Sequence, residues 1–120
     1  MASVEQVLCF VDRQIEAVLT RGALAVAADL LEEDRAAARE MLARLPLGVW
    51  SAEVTRVERR GPHTVVRTHF TATHGSFLMI TTWHSGLDER PRVICIDTLD
   101  RIETPSVIRR WHRKDAALSA

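Results

Sequence analysis

The spacing of apolar residues changes once along the chain, between positions 45 and 50. Before that point, apolar residues recur every three or four positions, which predicts amphipathic helices. Ser3 followed by Gln6 has the form of a capping box, and Gly22 stands where a glycine commonly ends a helix. The sequence therefore predicts a first helix that begins after Ser3 and ends at Gly22.

A second helical region is predicted from position 23 to position 45. Its apolar stripe is interrupted at Arg35, beside the acidic run of residues 32–34. We expect either a kink or two short helices there. Pro46 and Gly48 are expected to end the region.

From Trp50 onward apolar and polar residues alternate, which is the pattern of half-buried strands. Helices followed by an antiparallel meander of four or five strands define the α+β class. We expect one domain over residues 1–120, with the N-terminal helices packed on a curved sheet. The predicted strands cover residues 50–59, 64–72, 77–84, 92–102 and 107–112.

The composition argues against several classes of protein. Sixteen Lys and Arg balance sixteen Asp and Glu, so binding to nucleic acid lacks its main electrostatic driving force. No apolar run reaches the length of a membrane-spanning helix, and the N-terminus lacks a secretory signal pattern. Cys9 and Cys95 are too far apart for a metal or redox motif, and we expect two buried thiols in a cytoplasmic protein. The histidines have no zinc-ligand spacing and no nucleotide-binding motif is present, so neither a metal nor a cofactor is expected.

Asp97 is predicted to face a histidine on a neighbouring strand. If residues 103–106 form a turn, Asp97 lies directly opposite His112, with a Cβ separation of about 4.5–5.5 Å. A carboxylate beside an imidazole fixes the imidazole tautomer and favours its charged form, and such a pair can transfer protons near neutral pH. Asp97 and His112 are therefore candidates for acid/base chemistry.

His69 joins this pair in one of two possible registers. If residues 74–75 are the central residues of a turn, His69 lies opposite Ile80. The next loop then allows Asp97 to face Ile80, which puts His69 and Asp97 on the same face of the sheet. It also allows Asp97 to face Met79, which moves His69 to the far face. The sequence leaves both registers open.

The alternative interpretation places Asp97 outside the protein core. Ile94 and Ile96 share the other face of the same strand, and that face is the more apolar one. If it forms the core, Asp97 is solvated or part of a dimer contact. The large apolar side chains of the strands either line a cavity for a hydrophobic ligand or form plain core. These residues are Phe70, Phe77, Met79, Trp83 and Trp111.

Three segments of the chain resemble one protein family. They are RTHFTATHGSFL at residues 67–78, VICIDTLDRIE at residues 93–103 and SVIRRWHRKD at residues 106–115. In these segments the chain resembles the SnoaL-like polyketide cyclases of the nuclear transport factor 2-like superfamily. The resemblance implies a cystatin-like cone with a cavity between the sheet and the helices. It also implies that Asp97 is the acid/base residue and that His74 matches a histidine of the family.

The chain departs from that family pattern in two places. A pair of strands that normally walls one side of the cavity has no counterpart between the helices and the sheet. Arg110 stands where the family has a histidine, and His112 follows Trp111 instead. These departures imply a shallower pocket completed by a second subunit, and they are compatible with a non-catalytic member.

Two functions are consistent with these observations. The first is a cofactor-independent acid/base enzyme, a cyclase, isomerase or epoxide hydrolase, that acts on a hydrophobic polyketide- or terpenoid-like small molecule. The alternative is a non-catalytic ligand-binding or homodimerisation module of the same fold. The predicted catalytic residues are Asp97, His69 and His112, and the predicted ligand contacts are Phe70, His74, Phe77, Met79, Trp83 and Trp111.

Overall fold

The protein has an α+β fold, as predicted, in which helices precede an antiparallel sheet. The computed structural model describes residues 3–85, 91–99 and 109–112, and only the backbone of residues 99 and 109–112. The elements are α1 (Val4–Arg21), a 3₁₀ helix (Ala23–Asp29), α2 (Glu32–Leu42), β1 (Val49–Arg60), β2 (His63–Ala72), β3 (Gly75–His84), β4 (Arg92–Leu99) and β5 (Arg109–His112).

Helix α1 begins and ends where the sequence predicts. The Ser3 hydroxyl accepts a hydrogen bond from the Gln6 amide at 3.2 Å, and the Gln6 side chain accepts one from the Ser3 amide at 2.8 Å. At the other end Gly22 adopts a φ of 94°, a left-handed conformation that favours glycine, and its N–H donates to the Val18 carbonyl. The buried face of α1 consists of Val7, Leu8, Val11, Gln14, Ile15, Val18 and Leu19.

The second helical region divides into two short helices, and the break lies before the acidic run rather than at Arg35. Glu32, Glu33 and Asp34 form the first turn of α2, where the helix dipole stabilises negative charge. Arg35 reaches back across the break and its Nε donates to the carbonyl of Leu30 at 3.2 Å. The acidic residues therefore start a helix instead of interrupting one.

The sheet has the order β4-β3-β2-β1-β5. The prediction that the fifth strand extends the meander beside the fourth is wrong, because β5 pairs with β1 at the opposite edge. Leu30 forms a parallel bridge with Val93 of β4 and so occupies part of the edge that β5 was expected to use. The turn predicted at residues 103–106 lies outside the described residues.

The two faces of the sheet differ sharply in character. The face that packs against the helices, which we call the inner face, carries Val66, Phe70, Met79 and Trp83, each 1 % exposed or less. The opposite face, which we call the outer face, carries most of the sheet's charged residues. Cys9 and Cys95, which we expected to be buried thiols, are both exposed. In the part of the chain described here, no helix has the length and apolar character required to span a bilayer.

Candidate functional site

Asp97 lies on the outer face of β4 and is exposed to solvent. It pairs with Ile80, which decides between the two registers left open by the sequence. The Cys95 thiol lies 4.0 Å from Oδ2 of Asp97, which is a weak contact. Asp97 is therefore not enclosed between the sheet and the helices, the position that an acid/base role inside a cavity requires.

His69 shares the outer face with Asp97 but does not reach it. The turn after β2 is formed by Thr73 and His74, so His69 faces Leu78 rather than Ile80. Two strand spacings, about 9–10 Å, separate β2 from β4 across the sheet, and the two residues are also offset along the strands. A direct hydrogen bond between His69 and Asp97 is excluded by this geometry.

His112 lies still farther from Asp97. It pairs with Ser51 of β1, and β5 and β4 form opposite edges of the sheet. The predicted pairing of Asp97 with His112 is therefore wrong. Its cause is the position of β5, which no local sequence pattern specifies.

Four of the predicted ligand contacts, Phe70, Phe77, Met79 and Trp83, are packed in the core, with exposures of 2 % or less. The Phe70 and Phe77 rings stack with centroids 5.2 Å apart, and the Trp83 indole N–H donates to the Thr81 hydroxyl at 3.0 Å. Such low exposure leaves no ligand-sized space beside these side chains, because the walls of a cavity would remain accessible. Trp111 of β5 pairs with Ala52 of β1. His74 is exposed in the turn between β2 and β3.

The structure does oppose a carboxylate and an imidazole, but the carboxylate is Glu53 of β1. Glu53 pairs directly with His69, and directly opposed residues have Cβ atoms about 4.5–5.5 Å apart. A simple hairpin through Arg60 and His63 would set Phe70 opposite Glu53. An irregularity between Val54 and Arg56 shifts the register by one residue and brings His69 there instead. Sequence reasoning missed Glu53 because the bulge leaves no clear signal in the sequence.

The imidazole of His69 contains an unsatisfied buried atom. Its Nε2 is sealed from solvent and has no hydrogen-bond partner, the only such side-chain nitrogen or oxygen within the described residues. On its other side, Leu78 is 0 % exposed although it lies on the outer face and outside the main core cluster. We call Glu53, His69 and Leu78 the His69 site. It combines a buried apolar side chain with one unpaired polar atom, and both are sealed from solvent.

No family model, curated protein or solved structure matches the chain. The resemblance to SnoaL-like proteins therefore stays a prediction. Among residues 3–85 and 91–98, no three His, Cys, Asp or Glu side chains are grouped as a metal site requires. The candidate site is therefore assigned from the geometry of the outer face.

Proposed function

We propose that the protein is a non-catalytic ligand-binding module that holds a small polar molecule at the His69 site. The observation that carries this proposal is the buried, unpartnered Nε2 of His69. Leaving a buried polar group without a partner destabilises a fold by roughly 1–3 kcal/mol. A ligand that hydrogen-bonds this nitrogen recovers that free energy, and the recovered energy contributes to binding.

The surroundings of His69 supply both recognition and access. Leu78 offers apolar contact on one side, and Glu53 offers a carboxylate on the other. Glu53 and Arg67, which flank the imidazole on the same face, are long half-buried side chains. Because Nε2 and Leu78 are sealed from solvent, the proposed ligand enters only when a side chain beside them changes its rotamer. The ligand class that fits is a small molecule with one hydrogen-bonding group and one apolar group.

The packing of the inner face also favours a ligand site on the outer face. Its aromatic and apolar side chains are fully packed, and the indole of Trp83 is already hydrogen-bonded within the protein. Asp97, the acid/base candidate from the sequence, lies outside this packed layer. The polar chemistry of the sheet lies on the outer face, and the proposed site is there.

A fragment-binding experiment tests the proposal. Small phenols, amides and carboxylic acids are added singly, and the midpoint of thermal unfolding is measured for the wild type, His69→Leu and Cys95→Ser. Cys95 is an exposed outer-face residue two strands away, so Cys95→Ser is the matched control. We expect some fragments to stabilise the wild type and Cys95→Ser by a few degrees, and none of these to stabilise His69→Leu. Equal stabilisation of all three proteins would refute the proposal.

Acid/base catalysis is a second candidate, favoured by the direct opposition of Glu53 and His69. A carboxylate orients a neighbouring imidazole for proton transfer. Exchange of the α-protons of cyclohexanone in D₂O, followed by NMR, reports this activity without knowledge of the natural substrate. Acceleration by the wild type that is lost in His69→Leu and reduced in Glu53→Gln supports catalysis. Exchange at the buffer rate with wild-type protein counts against it.

Homodimerisation stays a prediction of the sequence. The outer face is the surface on which a second copy of the chain would meet the His69 site, because the inner face is covered by helices. Light scattering on the wild type and on His69→Leu distinguishes a subunit contact at the His69 site from a small ligand bound there. A dimer that dissociates in the variant places the subunit contact at this site, whereas a monomer in both leaves the site to a small ligand.

A further inference from the structure

Four basic side chains lie side by side at the end of the sheet where β1 turns into β2. Arg60 of β1 pairs with His63 of β2, His63 pairs with His84 of β3, and His84 pairs with Arg92 of β4. Directly opposed residues in antiparallel strands share one face of the sheet. The four side chains, which we call the basic row, therefore extend from the outer face across about 14 Å.

The centre of the basic row is held in place by its own contacts. The rings of His63 and His84 meet edge to face, with centroids 5.3 Å apart and planes inclined by 64°. Both histidines are half-buried, whereas Arg60 and Arg92 at the two ends are exposed. The backbone is fixed at the same place, because the amide of Ser85 donates to the carbonyl of Pro62 at 3.3 Å.

We propose that the basic row binds the phosphate groups of a small phosphorylated molecule, and that protonation of its two histidines strengthens the binding. Guanidinium groups and protonated imidazoles form strong, charge-assisted hydrogen bonds to phosphate oxygens. A divalent cation is the other ligand that paired imidazoles attract, but Arg60 and Arg92 repel it from both sides. The basic row lies about 20 Å along β2 from His69, so this inference is independent of the proposed function.

The pH dependence comes from the two histidines. Imidazole is the side chain that gains a positive charge between about pH 8 and pH 5. A bound phosphate stabilises the charged imidazoles, so the histidines take up protons on binding and their contribution to the affinity rises as the pH falls. The phosphate itself loses negative charge over the same range, so the histidine contribution is measured against a variant that lacks both imidazoles. The described residues next to the basic row toward the middle of the sheet are Glu58, Val65, Thr82 and Cys95.

Glu58 is an internal competitor for the basic row. Its carboxylate lies 3.1 Å from the Arg60 guanidinium and 3.8 Å from that of Arg56. The hydrogen bond from Arg60 lowers the pKa of Glu58 below its ordinary value of 4.5. Glu58 therefore stays negative throughout the range in which histidines titrate, and it contributes no pH dependence there. It does occupy one of the guanidinium groups that a phosphate needs.

The first test is calorimetry with pyrophosphate and with inorganic phosphate, at about pH 6 and about pH 8. Relative to the double variant His63→Gln and His84→Gln, in which the ligand still titrates, we expect the wild type to gain about tenfold in affinity for pyrophosphate from the higher to the lower pH, because charged imidazoles add strong hydrogen bonds. Inorganic phosphate is expected to bind more weakly, because it spans less of the basic row. NMR signals of the His63 and His84 rings should shift, and the His69 ring should not. The same ratio of affinities between the two pH values in the wild type and in the double variant, or shifts confined to His69, would overturn the inference.

Variants locate the binding groups. Joint replacement His63→Gln and His84→Gln should leave only the pH dependence that comes from the ligand. Arg92→Gln, at an exposed position, should weaken binding about tenfold and tests the inference even if the double variant does not fold. Glu58→Gln should tighten binding by freeing Arg60. Arg39→Gln removes an exposed arginine from α2 and is the matched control, with no expected change. His69→Leu should also leave pyrophosphate binding unchanged, and if Arg92→Gln behaves like Arg39→Gln the inference fails.

Discussion

His69 presents the chief energetic anomaly among the described side chains, because its Nε2 is buried without a hydrogen-bond partner. Polar groups buried in folded proteins are nearly always hydrogen-bonded, and exceptions tend to mark functional positions. By contrast, Asp97, which the sequence favoured as the catalytic group, is exposed and carries no comparable anomaly. The carboxylate of Asp97 is therefore solvated, whereas the imidazole of His69 reduces the stability of the fold.

Replacing His69 with leucine should stabilise the protein. The substitution removes the unpaired nitrogen and adds apolar contact with Leu78, so we expect the free energy of unfolding to rise by about 1 kcal/mol. Urea unfolding followed by circular dichroism measures the change. Asp97→Asn, an exposed substitution on the same face, should change stability by less than about 0.5 kcal/mol. A loss of more than about 1 kcal/mol in His69→Leu would show that the imidazole is a structural element.

Truncation of a residue on the inner face should lower the stability of the protein. Phe70 is 1 % exposed and stacks on Phe77, so truncating it leaves a cavity in the core. Phe70→Ala should lower the free energy of unfolding by about 3–5 kcal/mol. A loss below about 1 kcal/mol, measured by the same urea titration, would mean that the inner face already contains unfilled space.

At the level of elements, the irregularity in β1 decides which residues form the candidate site. Thr55 lies at the register shift between Val54 and Arg56, and it is buried. Its hydroxyl is 3.4 Å from the carbonyl of Arg67, within reach of a hydrogen bond to the partner strand. The shift brings Glu53 opposite His69. The sheet thus creates the carboxylate–imidazole pair through a local distortion of its hairpin.

The elements themselves were largely predictable from local signals. The capping box at Ser3, the glycine at position 22 and the alternation after Trp50 each act over a few residues, and each of these features appears in the structure. The identity of the candidate site was not predictable, because it depends on register. The bulge in β1 and the position of β5 beside β1 are set by packing between distant segments. These interactions leave no short-range pattern.

The entry into β1 depends on the backbone conformation of Gly48. Its φ is +76°, and a Cβ there would lie 2.6 Å from the Thr73 hydroxyl. Thr73 also donates its N–H to the Gly48 carbonyl at 3.2 Å, so the β2–β3 turn is attached to the start of β1. Gly48→Ala should reduce stability by about 1–3 kcal/mol. Gly22→Ala is the matched control, because its φ of +94° is also positive but nothing lies near its Cβ. Equal losses would show that the contact with Thr73 is unimportant.

At the level of the whole molecule, the two faces of the sheet differ: the described helices pack on the inner face, and most charged residues of the sheet lie on the outer face. Helices cover the inner face, and the β4 edge is protected by the bridge from Leu30 and by an irregularity after Val93. Such devices discourage edge-to-edge association. The outer face carries the His69 site at the middle of the sheet and the basic row at one end. Both proposed sites therefore lie on the outer face.

Adjacent residues on β3 allow this claim to be tested directly. Leu78 and Met79 are neighbours in sequence, and their side chains lie on the outer and inner faces respectively. Carbon-13 NMR of their methyl groups, during titration with a fragment that stabilises the protein, reports which face the fragment contacts. We expect large shifts of the Leu78 methyls and the His69 ring, with the Met79 methyl and the Trp83 indole unchanged. Shifts centred on Met79 and Trp83 would place the ligand between the sheet and the helices and would refute the proposed site on the outer face.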